Sequence, residues 1–232
     1  MNQLAKKKKK ASQKKSNKLV ISLILLFIPI TIIMYSLAFN AWQQFKEIPL
    51  IEQMFHQKTD VELVMENFDL PIPLDYIPIY KAAAEQYGVP WPLLAAHHRI
   101  ETRFSTMKQD VSPTGAEGPM QFMPCTFVGW SHPTCGGLGL GSIPEQEKTN
   151  PQVIAKYGGY GVDGDGDGIA DPFNIADSIY SAANFLSRAG AKEGHLTKAV
   201  YQYNHSNEYV ADVLYYYELY STYEQDLIAL LP

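Results

Sequence analysis

Between Leu19 and Phe39 the chain runs for 21 residues without a charged side chain, and no other stretch limits the possible fold as strongly. At 1.5 Å per residue a helix of that length crosses a hydrocarbon core of about 30 Å. Lys6 to Lys10, Lys14, Lys15 and Lys18 precede it, eight of the 19 basic residues, and the first acidic residue is Glu47. Lysines on that one flank predict a cytoplasmic amino terminus, with everything beyond about residue 40 outside the cell membrane. The competing reading is a cleaved signal peptide with Ser36-Leu37-Ala38 as its small-residue site, although its apolar region would be longer than the usual ~7–15 residues. The span divides the chain into a basic tail (1–18), a transmembrane helix (19–39), a juxtamembrane stalk (40–70) and a compact domain (71–232). Pro71, Pro73 and Pro78 mark the last boundary, because proline and the residue before it both avoid helix.

Residues 40–232 carry 11 basic and 24 acidic side chains, a formal charge of −13. An acidic body with no basic patch argues against nucleic acid as a partner. Cys125 and Cys135 both fall in this outward part. Outside the cell a pair ten residues apart most simply forms a disulfide. Two free buried thiols would be the alternative, and a metal site is least supported because there is no Cys-x-x-Cys partner pair.

The stretch from Pro90 (PWPLLAAHHRIETRF) places Leu93, His97, Ile100 and Phe104 on one face of a predicted helix that starts at the Pro90/Pro92 pair. At about 100° per residue, Glu101 falls at the border of that face. A carboxyl group there is partly desolvated, which raises its pKa and lets it hold a proton near neutral pH, as a general acid for a glycosidic bond must. The ordinary alternative is a surface glutamate paired with Arg99 or Arg103. Upstream, Ile79 to Tyr87 reads as a short helix stopped by Gly88 and Pro90.

Downstream, Gly115 to Trp130 is an apolar run in which Gln121 is the polar exception, needing either a buried partner or a cleft. His132 to Gly141 is a glycine-rich loop without the pattern that cradles phosphate. Asp163, Asp165, Asp167, Gly168, the Ile169 carbonyl and Asp171 match the first three quarters of an EF-hand calcium loop. Asn174 breaks the match at position 12, and Asp177 is the candidate closing ligand. Three carboxylates this close repel unless a cation neutralises them, so a structural Ca2+ is expected, and no organic cofactor. Ala176 to Ala189 is a helical pattern ended by Gly190. Eight tyrosines follow Leu196, and Tyr203-Asn204 opens a turn between two further helical patterns.

Taken together, IETRFS, SPTGAEGPMQFMP, DGDGDGIADPFNIADSIYSAANFL and AVYQYNHSNEYV resemble the lytic transglycosylases of the lysozyme-like superfamily. ETRF and the calcium-type loop are similar to the membrane-bound B-type enzymes, and SPTGAEGPMQ to the soluble Slt-type domain. The resemblance covers about residues 72–220. It implies a mainly α, lysozyme-like (SLT-type) domain behind the transmembrane helix, acting on peptidoglycan glycan strands just outside the membrane. Glu101 takes the place of the catalytic acid, Ser112 and Gln121 match positions lining the sugar subsites, and Tyr203 and Asn204 match the pair that helps orient the acid and the N-acetyl group. Asp163, Asp165, Asp167, the Ile169 carbonyl and Asp177 match calcium-ligand positions. His97 and His98 depart from the pattern, standing where an aliphatic residue is expected, and the Cys125/Cys135 pair is not part of it. The implied reaction needs one carboxyl group and closes a 1,6-anhydro ring. A hydrolytic muramidase and a non-catalytic peptidoglycan-binding scaffold are the alternatives.

Overall fold

The computed structural model describes residues 27–43 and 60–231. The chain forms two units, 1–59 and 60–232. In the first, residues 27–43 are helical. Among the described residues no helix is long and apolar enough to cross a membrane; positions 1–26, which include the basic tail and the start of the expected span, lie outside the described residues, as do 44–59 of the expected stalk.

The second unit is mainly helical: α1 (Asp60–Met65), α2 (Ile77–Tyr87), α3 (Trp91–Thr102), α4 (Pro124–Val128), α5 (Glu145–Lys148), α6 (Pro151–Tyr157), α7 (Ile175–Arg188), α8 (Leu196–Tyr203), α9 (Asn207–Thr222) and α10 (Glu224–Ala229). Its described extended pairings are the isolated bridges Val111 to Glu117 and Glu117 to Phe122. The helix boundaries have local causes. Pro78 sits in the first turn of α2, where its missing N–H costs nothing, and Gly88 closes the helix at φ 68°. Asn150, Asn174 and Ser206 cap α6, α7 and α9 by accepting backbone N–H bonds with their side chains.

α3 is the axis of the unit. It packs most extensively on α9 and also on α2 and α7. Trp91 to Arg99 are buried without interruption, so the helix has no solvated face; a helix enclosed all round belongs to a core rather than to a surface. This corrects the one-face reading, and Ile100 and Glu101, in the last turn, are the partly exposed residues instead. The helix also ends at Thr102, so Phe104, although 2 % exposed, reaches the core from a turn.

Arg99 inside this core has specific partners. Its Nη2 donates to both carboxylate oxygens of Asp69 at 2.7 Å and to the Tyr216 hydroxyl at 3.1 Å, its Nη1 to the Leu70 carbonyl at 3.0 Å, and the guanidinium lies 3.9 Å from the centre of the Tyr216 ring. Phe68 is buried in the same core, so residues ahead of the prolines pack with those after them.

Cys125 and Cys135 form a disulfide, with Cα atoms 5.7 Å apart. The pair ties α4 to the glycine-rich loop, whose Gly139 carbonyl accepts from the Cys125 N–H at 2.8 Å.

Candidate active site

Glu101 is one residue from the end of α3, and the chain leaves the helix in an unusual way. Arg103, Phe104 and Ser105 all have left-handed backbones, with φ of 52°, 60° and 61°. For residues with a Cβ this costs roughly 1–2 kcal/mol each, and specific contacts hold it. Thr102 Oγ1 donates to the Pro119 carbonyl at 2.8 Å and accepts from the Ser105 N–H at 3.1 Å. His98 bonds the Ser105 hydroxyl through Nε2 at 2.8 Å and the Tyr80 hydroxyl through Nδ1 at 2.6 Å. The turn therefore locks α3 to the segment carrying Pro119 and Gln121.

The Glu101 carboxyl is partly buried, and its Oε1 accepts the Tyr209 hydroxyl of α9 at 2.5 Å. Burial pushes its pKa up from 4.5 to about 7, and the Tyr209 hydrogen bond opposes the rise. Neither arginine neutralises it: Arg99 is committed to Asp69, and Glu101 makes no ion pair with any described residue. Three ionisable groups surround it. His97, buried on the same helix, has Nδ1 2.9 Å from the Tyr209 hydroxyl, and burial lowers its pKa to about 3, so the imidazole is neutral. Tyr203, from α8, packs against His97 with ring centres 4.8 Å apart and the ring planes tilted by 57°. Burial and the nearby Glu101 charge hold the pKa of both Tyr203 and Tyr209 well above the usual value. An acid that is half protonated near neutral pH, with no cation beside it, is equipped to give a proton and take one back.

Among the other sequence-selected residues, Gln121 has φ 50° and donates through Nε2 to the Gly118 carbonyl at 2.8 Å. Ser112 accepts the Ala116 N–H at 2.9 Å, closing its own loop. Tyr203 donates to the Met120 carbonyl at 2.7 Å, tying α8 to the Gln121 segment, and Asn204 is exposed at the end of α8. The hydroxyl that touches the acid belongs to Tyr209, which the sequence offered only as one tyrosine among eight. At the turn that ends α3 lies a cavity of about 300 Å³ lined by Thr102, Ser105, Asp110, Gly118 and Phe173; a second, of about 610 Å³, shares Asp110 and Phe173 and adds Ser112. Glu101 itself lines neither.

In the acidic loop, Asp163, Asp165 and Asp177 bring carboxylate oxygens within 4.8 Å of one another. The turn is closed by its own backbone: Asp163 accepts from Gly166 and Gly168, Asp165 from Asp167, and Asp167 from Ile169. Asp177 is buried and accepts three backbone N–H bonds, from Gly164, Asp165 and Asp171. Burial is the main cause that raises its pKa. Ca2+ takes six to eight hard oxygen ligands, and these three carboxylates would supply part of such a set. Asn174 does two other jobs: Oδ1 caps α7, and Nδ2 donates to Asp165 Oδ2 at 2.7 Å. Asp167 and Ile169 are exposed at the rim, and Asp167 is outside the three-carboxylate group.

Residues 151–198, from α6 through the acidic loop and α7 into α8, match the family model described as the transglycosylase SLT domain. The match supports the lysozyme-like lytic transglycosylase superfamily. The curated L-Ala–D-Glu endopeptidase of Bacillus subtilis (strain 168) is 26% identical over 135 residues, 58% of this chain and 38% of that protein. The chain thus spans little more than a third of the length of that relative. No solved structure matches significantly.

Proposed function

We propose that the chain is a membrane-anchored peptidoglycan lytic transglycosylase that cleaves the β-1,4 bond between N-acetylmuramic acid and N-acetylglucosamine. The observation that carries the reading is Glu101, a lone, partly buried carboxyl group with a pKa of about 7 held by a tyrosine rather than by a cation. Glycosidases that use two carboxylates need the second as nucleophile or base. Here one group suffices: Glu101 protonates the leaving glycosidic oxygen, then accepts the proton of the C6 hydroxyl as that oxygen attacks C1. The product is a 1,6-anhydro ring, and no water is consumed. The uncharged stretch 19–39 behind a lysine run supports anchoring, with the catalytic unit outside and the polymer within reach.

Product mass tests the chemistry. Purified full-length protein incubated with peptidoglycan should release 1,6-anhydromuropeptides. Products heavier by one water, with reducing ends, would make it a hydrolytic muramidase. Cut peptides on an intact glycan would point to the activity named for the Bacillus subtilis relative. Wall binding without soluble product would leave a scaffold.

The acidic loop belongs to the same proposal as a structural calcium site, held by Asp163, Asp165 and Asp177 with the Ile169 carbonyl and Asp167 at its rim. Metal that binds only the folded state stabilises it, by about 2.7 kcal/mol at a hundred times Kd. For a unit of this size that is roughly 5–10 °C in Tm. Extracellular calcium modules often have Kd near ~10⁻⁴–10⁻³ M, so 1 mM calcium is expected to stabilise by about 0.4–1.4 kcal/mol and to raise the melting temperature by roughly 1–6 °C, and the double variant Asp163→Asn, Asp165→Asn to abolish most of the response. A wild-type melting curve indifferent to both calcium and chelator would reduce the loop to a self-bonded turn.

A further inference from the structure

His97 has no part in the chemistry implied by the family resemblance, yet it is fully buried next to the acid, at a position where that resemblance expects an aliphatic side chain. Its Nδ1 is 2.9 Å from the Tyr209 hydroxyl, which in turn is 2.5 Å from Glu101 Oε1. Its Nε2 is buried without a hydrogen-bond partner among the described residues. An orphaned ring nitrogen is a cost that an aliphatic residue would avoid.

We infer that His97 is a positioning residue: by donating from Nδ1 to Tyr209 it fixes the direction of the hydrogen-bond chain and confines the catalytic proton to Glu101 Oε2. This rests on the reading of Glu101 as the general acid. The argument is one of counting hydrogens. A tyrosine hydroxyl has a single hydrogen, and a carboxylate only accepts. With Glu101 ionised, the Tyr209 hydrogen points at Oε1, so the hydroxyl oxygen can take only a donor from His97. That donor is Nδ1–H, and Nε2 is then bare.

No described group lies within hydrogen-bond reach of Nε2 to hand it a proton, so the same tautomer persists when Glu101 becomes protonated. Tyr209 then still donates to Oε1, and the acidic hydrogen has to sit on Oε2, which bonds no described residue. A general acid works only if its proton is on the oxygen that reaches the substrate. With an aliphatic residue at 97, the Tyr209 hydroxyl would have Glu101 as its sole partner. It could then turn and accept from Oε1–H, leaving the proton on the wrong oxygen.

The ionisable groups facing Glu101 are His97 from α3, Tyr203 from α8 and Tyr209 from α9. Both tyrosines stay neutral through the working range, so a moved titration of Glu101 reports on the chain of bonds itself.

The first test needs no mutation: the 15N shifts of His97 in the full-length protein should show hydrogen on Nδ1, and hydrogen on Nε2 would overturn the inference. The second follows the 13C titration of the Glu101 carboxyl together with the pH–rate profile. In His97→Leu, Tyr209 loses the bond that polarises its hydroxyl, so the Glu101 pKa should rise by roughly half a unit. The kcat should fall about tenfold, less than the ~10²–10⁴-fold of losing the general acid itself, with KM little changed. His97→Asn, which returns an amide donor near the position of Nδ1, should move both values back toward wild type. Unchanged titration and kcat in a folded His97→Leu, or an Asn variant no better than the Leu variant, would refute the role. The tautomer and the carboxyl titration are read without turnover, so they stand apart from the general-acid reading, which fails instead if Glu101→Gln keeps full activity.

Discussion

Glu101→Gln in the full-length protein is expected to lower the rate of glycan cleavage by at least ~10²–10⁴-fold, the range of general acid catalysis, with cell-wall binding retained. The amide keeps the shape of the carboxyl and can still accept from Tyr209, but it has no acidic proton. The same variant should be more stable above neutral pH. The folded pKa of Glu101, about 7, lies above its ordinary value of 4.5. Its ionisation therefore removes stability as pH rises from the unfolded pKa through the folded one, by up to about 3 kcal/mol. Replacing it removes that loss. Thermal melts at pH 8 beside assays at pH 6 check both halves, and a variant that is active, or that melts below wild type at pH 8, contradicts the assignment. Wild-type activity should fall on the alkaline side of about pH 7, where the proton to be donated is gone.

Gly118→Ala is expected to cost about 3 kcal/mol or more and to remove most activity. A Cβ at this position would stand 1.8 Å from the Pro172 carbonyl oxygen and 2.7 Å from its carbon, and the backbone has φ +73°. No side-chain rotation relieves a clash with backbone. Gly118 is also bonded on both sides: its N–H donates to the Asp110 carbonyl at 2.8 Å, and its carbonyl accepts from the Gln121 backbone and side chain. The strain would therefore reach the Gln121 turn. Gly166→Ala is the control. Its φ is +83°, but the new Cβ would meet nothing within 4 Å, so it should lose only about 1 kcal/mol. Comparing melting temperatures and cleavage rates of the two variants separates backbone conformation from the close approach. Equal losses would mean that the contact between Gly118 and Pro172 does not matter.

Local signals in the sequence were legible because each acts over a few residues. Gly88 and Gly190 stop helices where glycine was expected to stop them, whereas Pro78, expected in an extended boundary, sits in the first turn of α2. Glu101 stood out at the border of an apolar helical face, and the family resemblance gave it its expected role. What periodicity misses is which helix is wrapped by others. Nothing near Trp91 says that α9, more than a hundred residues away, will cover the face that carries His97, so an enclosed helix reads as half-exposed. The Tyr209 contact is hidden for the same reason, since it spans 108 positions. The end of α3 was missed because Arg103, Phe104 and Ser105 hold left-handed backbones without a glycine, through tertiary bonds from His98 and Thr102. Asn174 looked like a flaw in a calcium loop because a helix cap and a metal-loop position can fall on the same residue.

The Asp69 carboxylate reaches Arg99 from a stretch that a reading by composition assigns to a tether. If the chain is anchored at the membrane as proposed, that pairing sets a rule for its proteolytic release. A protease cutting ahead of Asp60 could free a catalytic unit with its core intact, whereas one cutting between Asp69 and Pro71 would leave a guanidinium in the interior without its counter-charge, on the very helix that carries the acid. Shed forms of this protein that remain active should therefore retain Asp69 at or behind their new amino terminus.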